Sequence, residues 1–107
     1  MDDMETICFQ LISFSGTAKS KYLCAIEAAK ENRMEEARSL MKEGKEIFLN
    51  AHRVHADMLG SEANGNCPQI GILLIHAEDQ LMAAETVEIL AGQMIGLYGE
   101  LASLKQN

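Results

Sequence analysis

The segment His76 to Met82, HAEDQLM, sets an imidazole, two carboxylates and an amide within two helical turns, directly after the aliphatic run Ile72, Leu73, Leu74 and Ile75. An unperturbed imidazole, with a pKa of about 6.5, is largely neutral near pH 7, the form whose nitrogen accepts a phosphoryl group or a proton. Asp79 offers oxygen ligands of the kind a hard cation such as magnesium prefers. Gln80 adds an amide that can donate to a phosphoryl oxygen. These residue types permit the chemistry without demanding it, because a lone histidine beside an apolar run is also what a packed core or interface position looks like.

Helices must position these groups. From about residue 3 to 31, Ile7, Leu11, Phe14, Ala18, Tyr22, Ala25 and Ala29 recur at alternating spacings of three and four and line one helical face. Gly16 in mid-segment costs up to about 1 kcal/mol against alanine, so a close approach by another backbone is expected there. From about 33 to 60, Ala37, Leu40, Met41, Gly44, Phe48, Ala51, His55 and Met58 share a face, opposite a solvated side of Glu35, Glu36, Arg38, Lys42, Glu43 and Lys45. Asn32, followed three residues later by Glu35, resembles a capping box opening that helix. The stretch GSEANGNCPQ, Gly60 to Gln69, reads as a loop, and a third helix follows over about 69 to 104. Nothing alternates with period two. The pattern predicts one all-α domain over residues 1–107, an up-down-up antiparallel three-helix bundle.

The third helix has more apolar surface than such a bundle needs. At 100° per residue, Leu74, Ala77, Leu81 and Ala84 gather into one seam, while Ile72, Ile75, Met82, Ala83 and Leu90 form a second stripe. A monomer would leave that second stripe wet, and contiguous exposed apolar area marks an interface. Asp79 falls in its middle. A carboxylate buried between subunits needs a cation or a proton. In a cyclic homo-oligomer every copy brings its own Asp79 to the axis, and such a cluster suits magnesium. His76, at the border of the stripe, stays reachable. Glu78, 200° round the helix from His76, is expected to have little effect; His55 should be packed and His52 solvated.

Composition narrows the partners. A net charge of −7 opposes binding to phosphate backbones. No run approaches the roughly 18 apolar residues of a membrane span, and MDDMETICFQ is acidic where a secretory leader would be basic, so a cytoplasmic location is expected. Three cysteines without CxxC spacing predict reduced thiols, with Cys8 and Cys24 buried and Cys67 in a loop.

LLIHAEDQLM, with the flanking AAETVEILAGQMIGLY, resembles the signature of enzyme IIA of the lactose, cellobiose and diacetylchitobiose class of the bacterial sugar phosphotransferase system. LISFSGTAKSKYLCAIEAAKENRMEEARSLMKEG and EIFLNAHRVHADML are similar to that family's first and second helices, so the resemblance runs from about Glu5 to Leu101. It implies a homotrimer, a nine-helix bundle, and a phosphoryl carrier. A histidine matching His76 would take phosphate from phospho-HPr and pass it to a cysteine of enzyme IIB, which serves the membrane component enzyme IIC. It also implies a metal-binding aspartate, matching Asp79, with a structural magnesium at the trimer axis. Gln80 stands where many relatives carry a second histidine, which leaves it as the candidate phosphate contact, and Glu78 replaces a frequent glutamine. Cellobiose or a related β-linked disaccharide is the sugar expected first, ahead of lactose and diacetylchitobiose. The competing reading is a non-catalytic helical adaptor whose second stripe binds a partner helix.

Overall fold

Local capping chemistry sets most of the helix ends. The computed structural model describes residues 3–105 as α1 (Met4–Lys30), α2 (Met34–Ala63) and α3 (Ile72–Lys105), with no strand among the described residues. The Asp3 carboxylate opens α1 by accepting from the Thr6 backbone N–H at 2.8 Å, the usual service of an N-cap.

The expected capping box at Asn32 is not formed. Asn32 instead has φ of 64° and closes α1: its N–H donates to Ala29 O at 3.0 Å, and Arg33 N–H donates to Ala28 O at 2.8 Å. That pair of bonds is the Schellman reversal, and asparagine tolerates the left-handed conformation it requires. Arg33 then caps α2 without a side-chain hydrogen bond. A second reversal of the same kind shortens the expected loop. Gly65, at φ 92°, lets its own N–H reach Glu62 O and the Asn66 N–H reach Ser61 O, each at 3.0 Å. α2 therefore continues through Gly60 to Ala63, and α3 starts at Ile72 rather than near residue 69.

The rod measures 61 × 21 × 17 Å, with α1 as its middle member. The α1 residues Ile7, Leu11, Ala18 and Tyr22 are buried in one cluster with Phe48, Ala51 and Met58 of α2 and Leu74, Ala77, Leu81 and Ala84 of α3. Small side chains make a second cluster at the α1–α2 turn, where Ala25, Ala28 and Ala29 meet Ala37. Both α2 and α3 pack along α1, yet they scarcely touch each other. Close approach occurs at Gly44, not at Gly16. A Cβ on Gly44 would stand 2.5 Å from a ring carbon of Tyr22, whereas one on Gly16 would meet nothing within 4 Å. No described helix is long and apolar enough to cross a membrane.

Candidate functional site

Ala77 and Leu81 turn inward from α3 and are buried; by the 3.6-residue period their neighbours His76 and Asp79 turn outward. His76 is exposed, and its ring takes no hydrogen bond or ion pair among the described residues. Asp79 is exposed one turn further along, and Gln80, four residues from His76 and so on its side of the helix, is half-buried.

The second stripe is as open as the sequence implied. Ile72 is 87% exposed, Ile75 60%, Met82 61% and Leu90 54%, while Ala83 is half-buried. Ile89, Leu97, Leu101 and Leu104 extend the exposed apolar surface toward the C-terminal end. Asp79 interrupts it with a carboxylate. Among the described residues, no group of three His, Cys, Asp or Glu side chains converges to hold a metal. One chain thus supplies Asp79 alone, and a magnesium ion held there would complete its six oxygen ligands with water or with the carboxylates of other copies.

Sequence reasoning missed the partner of Glu78. Both of its carboxylate oxygens lie against His55 Nε2 of α2, at 2.8 and 2.9 Å, with the two side chains 21% and 34% exposed. The angular offset from His76 was correct, but that offset aims Glu78 straight at α2. Three residues earlier on α2, His52 lies 3.8 Å from Glu85 and its ring stands 4.5 Å, centroid to centroid, from that of Phe48. The spacing in the chain was suggestive only: His52 and His55 on α2, and the arc of Glu78 and Glu85 on α3, run in antiparallel register, but the approach of the two helices decides which groups meet. These contacts occupy two of the three histidines and leave His76 as the imidazole without a partner.

Two buried groups have raised pKa values. Burial, reinforced by the Glu78 charge, pushes the Cys8 thiol up, so this cysteine is a poor nucleophile. Burial and the Glu88 carboxylate push the Tyr22 hydroxyl well above the usual phenol range; the hydroxyl lacks a hydrogen bond of good geometry. Cys24, expected to be buried, is exposed, as is Cys67. Cys24 lies 200° round α1 from the buried Tyr22, which places it on the outer face.

Comparisons with known proteins follow the same lines. Residues 6–99 match the family described as the PTS system, lactose/cellobiose specific IIA subunit. The lichenan-specific phosphotransferase enzyme IIA component of Bacillus subtilis (strain 168) is 36% identical over 100 residues, which cover 94% of this chain and 91% of that protein. The crystal structure of the PTS cellobiose specific enzyme IIA from Bacillus anthracis superposes with a TM-score of 0.93 at 43% identity, over 96% of this chain and 94% of that one. The fold also recurs, with a TM-score of 0.82 at 24% identity over 95% and 99% of the two chains, in the IIA(Chitobiose)–HPr complex of the Escherichia coli N,N'-diacetylchitobiose branch.

Proposed function

This chain belongs to the lactose/cellobiose-specific IIA subunit family of the phosphotransferase system and is a phosphotransferase component, and from that premise we propose that His76 is the residue that carries the phosphoryl group. The observation behind the assignment is an exposed, unpartnered imidazole on α3, in a chain whose His52 and His55 each lie against a glutamate.

In the forward transfer a nitrogen lone pair of His76 forms a bond to phosphorus as the phosphorus–nitrogen bond of phospho-HPr breaks. In the next transfer the thiolate of an enzyme IIB cysteine takes the phosphoryl group, and the bond to His76 breaks. Such reactions ask a protein for positioning and for stabilisation of charge on the equatorial oxygens. α3 can supply little positive charge, since Lys105, at its far end, is its sole cation. His76 also lies too far into the helix, past Ile72 at its start, for the first-turn dipole to help much. Any cation at the site therefore comes from outside α3, and α3 itself contributes the Gln80 amide, one turn beyond His76, as a hydrogen-bond donor to a phosphoryl oxygen.

The exposed stripe of α3 closes in a homotrimer, which brings the Asp79 carboxylates of its copies together, where they would hold a structural magnesium ion. That ion would neutralise the buried carboxylates, with no part in the transfer. A β-linked disaccharide such as cellobiose is the sugar served, in keeping with the cellobiose and lichenan specificities that relatives bear in their names. The carrier acts in the cytoplasm, handing phosphate through enzyme IIB to the membrane enzyme IIC.

Incubation with radiolabelled phosphoenolpyruvate, enzyme I and HPr tests the site. His76→Gln should take up no label while keeping the helical circular dichroism of the parent, and His52→Gln and His55→Gln should label normally. Undiminished acid-labile phosphate on His76→Gln would overturn the assignment.

A further inference from the structure

Transfer at His76 depends on how α3 is turned about its own axis, and its packing against α1 restrains that turn weakly. Ala77 and Ala84, half of the buried seam, offer only a methyl group each. The segment 66–71 that leads into α3 has no regular structure and is exposed apart from half-buried Pro68. α2 and α3 scarcely touch. At the turn that carries His76, the polar link between them among the described residues is the His55–Glu78 contact, with Nε2 at 2.8 and 2.9 Å from the two carboxylate oxygens.

Three features make this contact a restraint. Both oxygens meet one nitrogen, so the carboxylate cannot pivot about one bond without losing the other. The side chains are only 21% and 34% exposed, where water and salt screen a pair less than at the open surface. The post itself is firm, because Ala51 and Met58, one turn to either side of His55, lie in the buried cluster. The His52–Glu85 contact has none of this: it spans 3.8 Å between side chains 45% and 50% exposed. An ionised carboxylate only accepts, so Nε2 of His55 carries a proton and has no lone pair left for a phosphoryl group.

We infer that His55, acting through Glu78, is a positioning residue for phosphoryl transfer at His76, because it fixes the roll of α3. This rests on the assignment of His76 as the carrier. Glu78 lies about 200° round the helix from His76, so the tether holds the back of the turn whose front bears the imidazole. The buried seam of Leu74, Ala77 and Leu81 lies to one side of Glu78 and the exposed stripe of Ile72, Ile75 and Met82 to the other. A roll of α3 therefore moves His76, Gln80 and Asp79 together. With side chains reaching about 6 Å from the helix axis, a roll of about 10° shifts the imidazole by about 1 Å. Misplacement of that size costs a transfer up to about 100-fold.

The test is single-turnover transfer from excess phospho-HPr to the full chain in its native oligomeric state, followed by rapid quench. His55→Ala and Glu78→Ala should each slow the rate constant at saturation by about 10- to 100-fold with full amplitude. The double variant should be no slower than either single one, because the two residues act as one contact. His55→Gln, whose amide nitrogen can still donate to Glu78, should stay within about twofold of the parent, as should His52→Ala. A merely structural loss lowers the amplitude, which counts folded acceptor, and leaves the rate constant alone. Amide residual dipolar couplings along 72–82, recorded without phosphate, read the roll directly: their phase relative to α1 should shift by about 10° in His55→Ala and not in His55→Gln. An unchanged rate constant or phase in His55→Ala, losses that multiply in the double variant, or His55→Gln as slow as His55→Ala would each overturn the inference. Labelling of His76→Gln at the parent's rate would overturn the carrier assignment and this inference with it, and is told apart from the other failures because it involves no change at His55.

Discussion

Two glycine-to-alanine substitutions should shift stability in opposite directions. Alanine is the better helix former at either position, by up to about 1 kcal/mol. At Gly16 nothing lies within 4 Å of the new Cβ, so Gly16→Ala should keep most of that gain. At Gly44 the new Cβ would stand 2.5 Å from one Tyr22 ring carbon and 2.9 Å from another. Tyr22 is fully buried, so its ring cannot swing aside, and α1 and α2 must move apart instead. Overpacking of this kind costs about 1–3 kcal/mol. The net expectation for Gly44→Ala is a loss of about 1–2 kcal/mol after the propensity gain. For a domain of this size each kcal/mol moves Tm by about 4–8 °C, so Gly44→Ala should melt roughly 5–15 °C lower and Gly16→Ala a few degrees higher than the parent. Thermal unfolding followed by circular dichroism at one fixed protein concentration reads both, since self-association would otherwise shift Tm. In a Tyr22→Leu background the Gly44→Ala penalty should shrink, because the two residues share one contact. A Gly44→Ala protein as stable as the parent would refute the close approach of α2 to α1 at Tyr22.

In the proposed homotrimer, Asp79→Leu should retain or strengthen the assembly and make it indifferent to magnesium, because apolar side chains replace a buried charged cluster at little net cost or with a gain of about 1–4 kcal/mol. Sedimentation equilibrium with and without EDTA measures this, and monomeric Asp79→Leu would count against it. The start of α1 should loosen in acid. The Thr6 N–H holds the Asp3 carboxyl below its ordinary value of 3.8; a folded-state pKa lowered in this way contributes stability above the unfolded value that is lost as pH falls through the folded one. The protection of the Thr6 amide, its exchange rate taken relative to the intrinsic rate at each pH, should therefore fall only below about pH 4, and a loss of protection beginning at higher pH would reject the cap.

Much of the arrangement could be read along the chain because burial imposes a 3.6-residue period on any helix that packs on one side. Ile7, Leu11, Ala18 and Tyr22 of α1, and Leu74, Ala77, Leu81 and Ala84 of α3, are buried as that period required. The surplus stripe of α3, and Asp79 within it, were visible for the same reason, since a second apolar face on one helix has no partner in a three-helix chain. The position of His76 beside that face was equally fixed by its number.

Periodicity reports which side of a helix is apolar; it does not report what stands opposite. Thus Glu78 could be turned away from His76 on paper, but its hydrogen bonds to His55 depend on where α2 passes α3. The same limit explains the glycines. Only the packed backbones decide that Gly44 meets an aromatic ring while Gly16 meets nothing. The outward position of Cys24, by contrast, follows from its 200° offset from the apolar-face residue Tyr22. Chain reversals followed another rule. Asn32 and Gly65 end helices through left-handed backbone conformations, and an asparagine serves as a start signal or a stop signal according to the hydrogen bonds its neighbours can complete. The divergence of α2 from α3, and with it the cleft between them, has no counterpart in either helix alone, because it is a distance between surfaces that the order of residues leaves open.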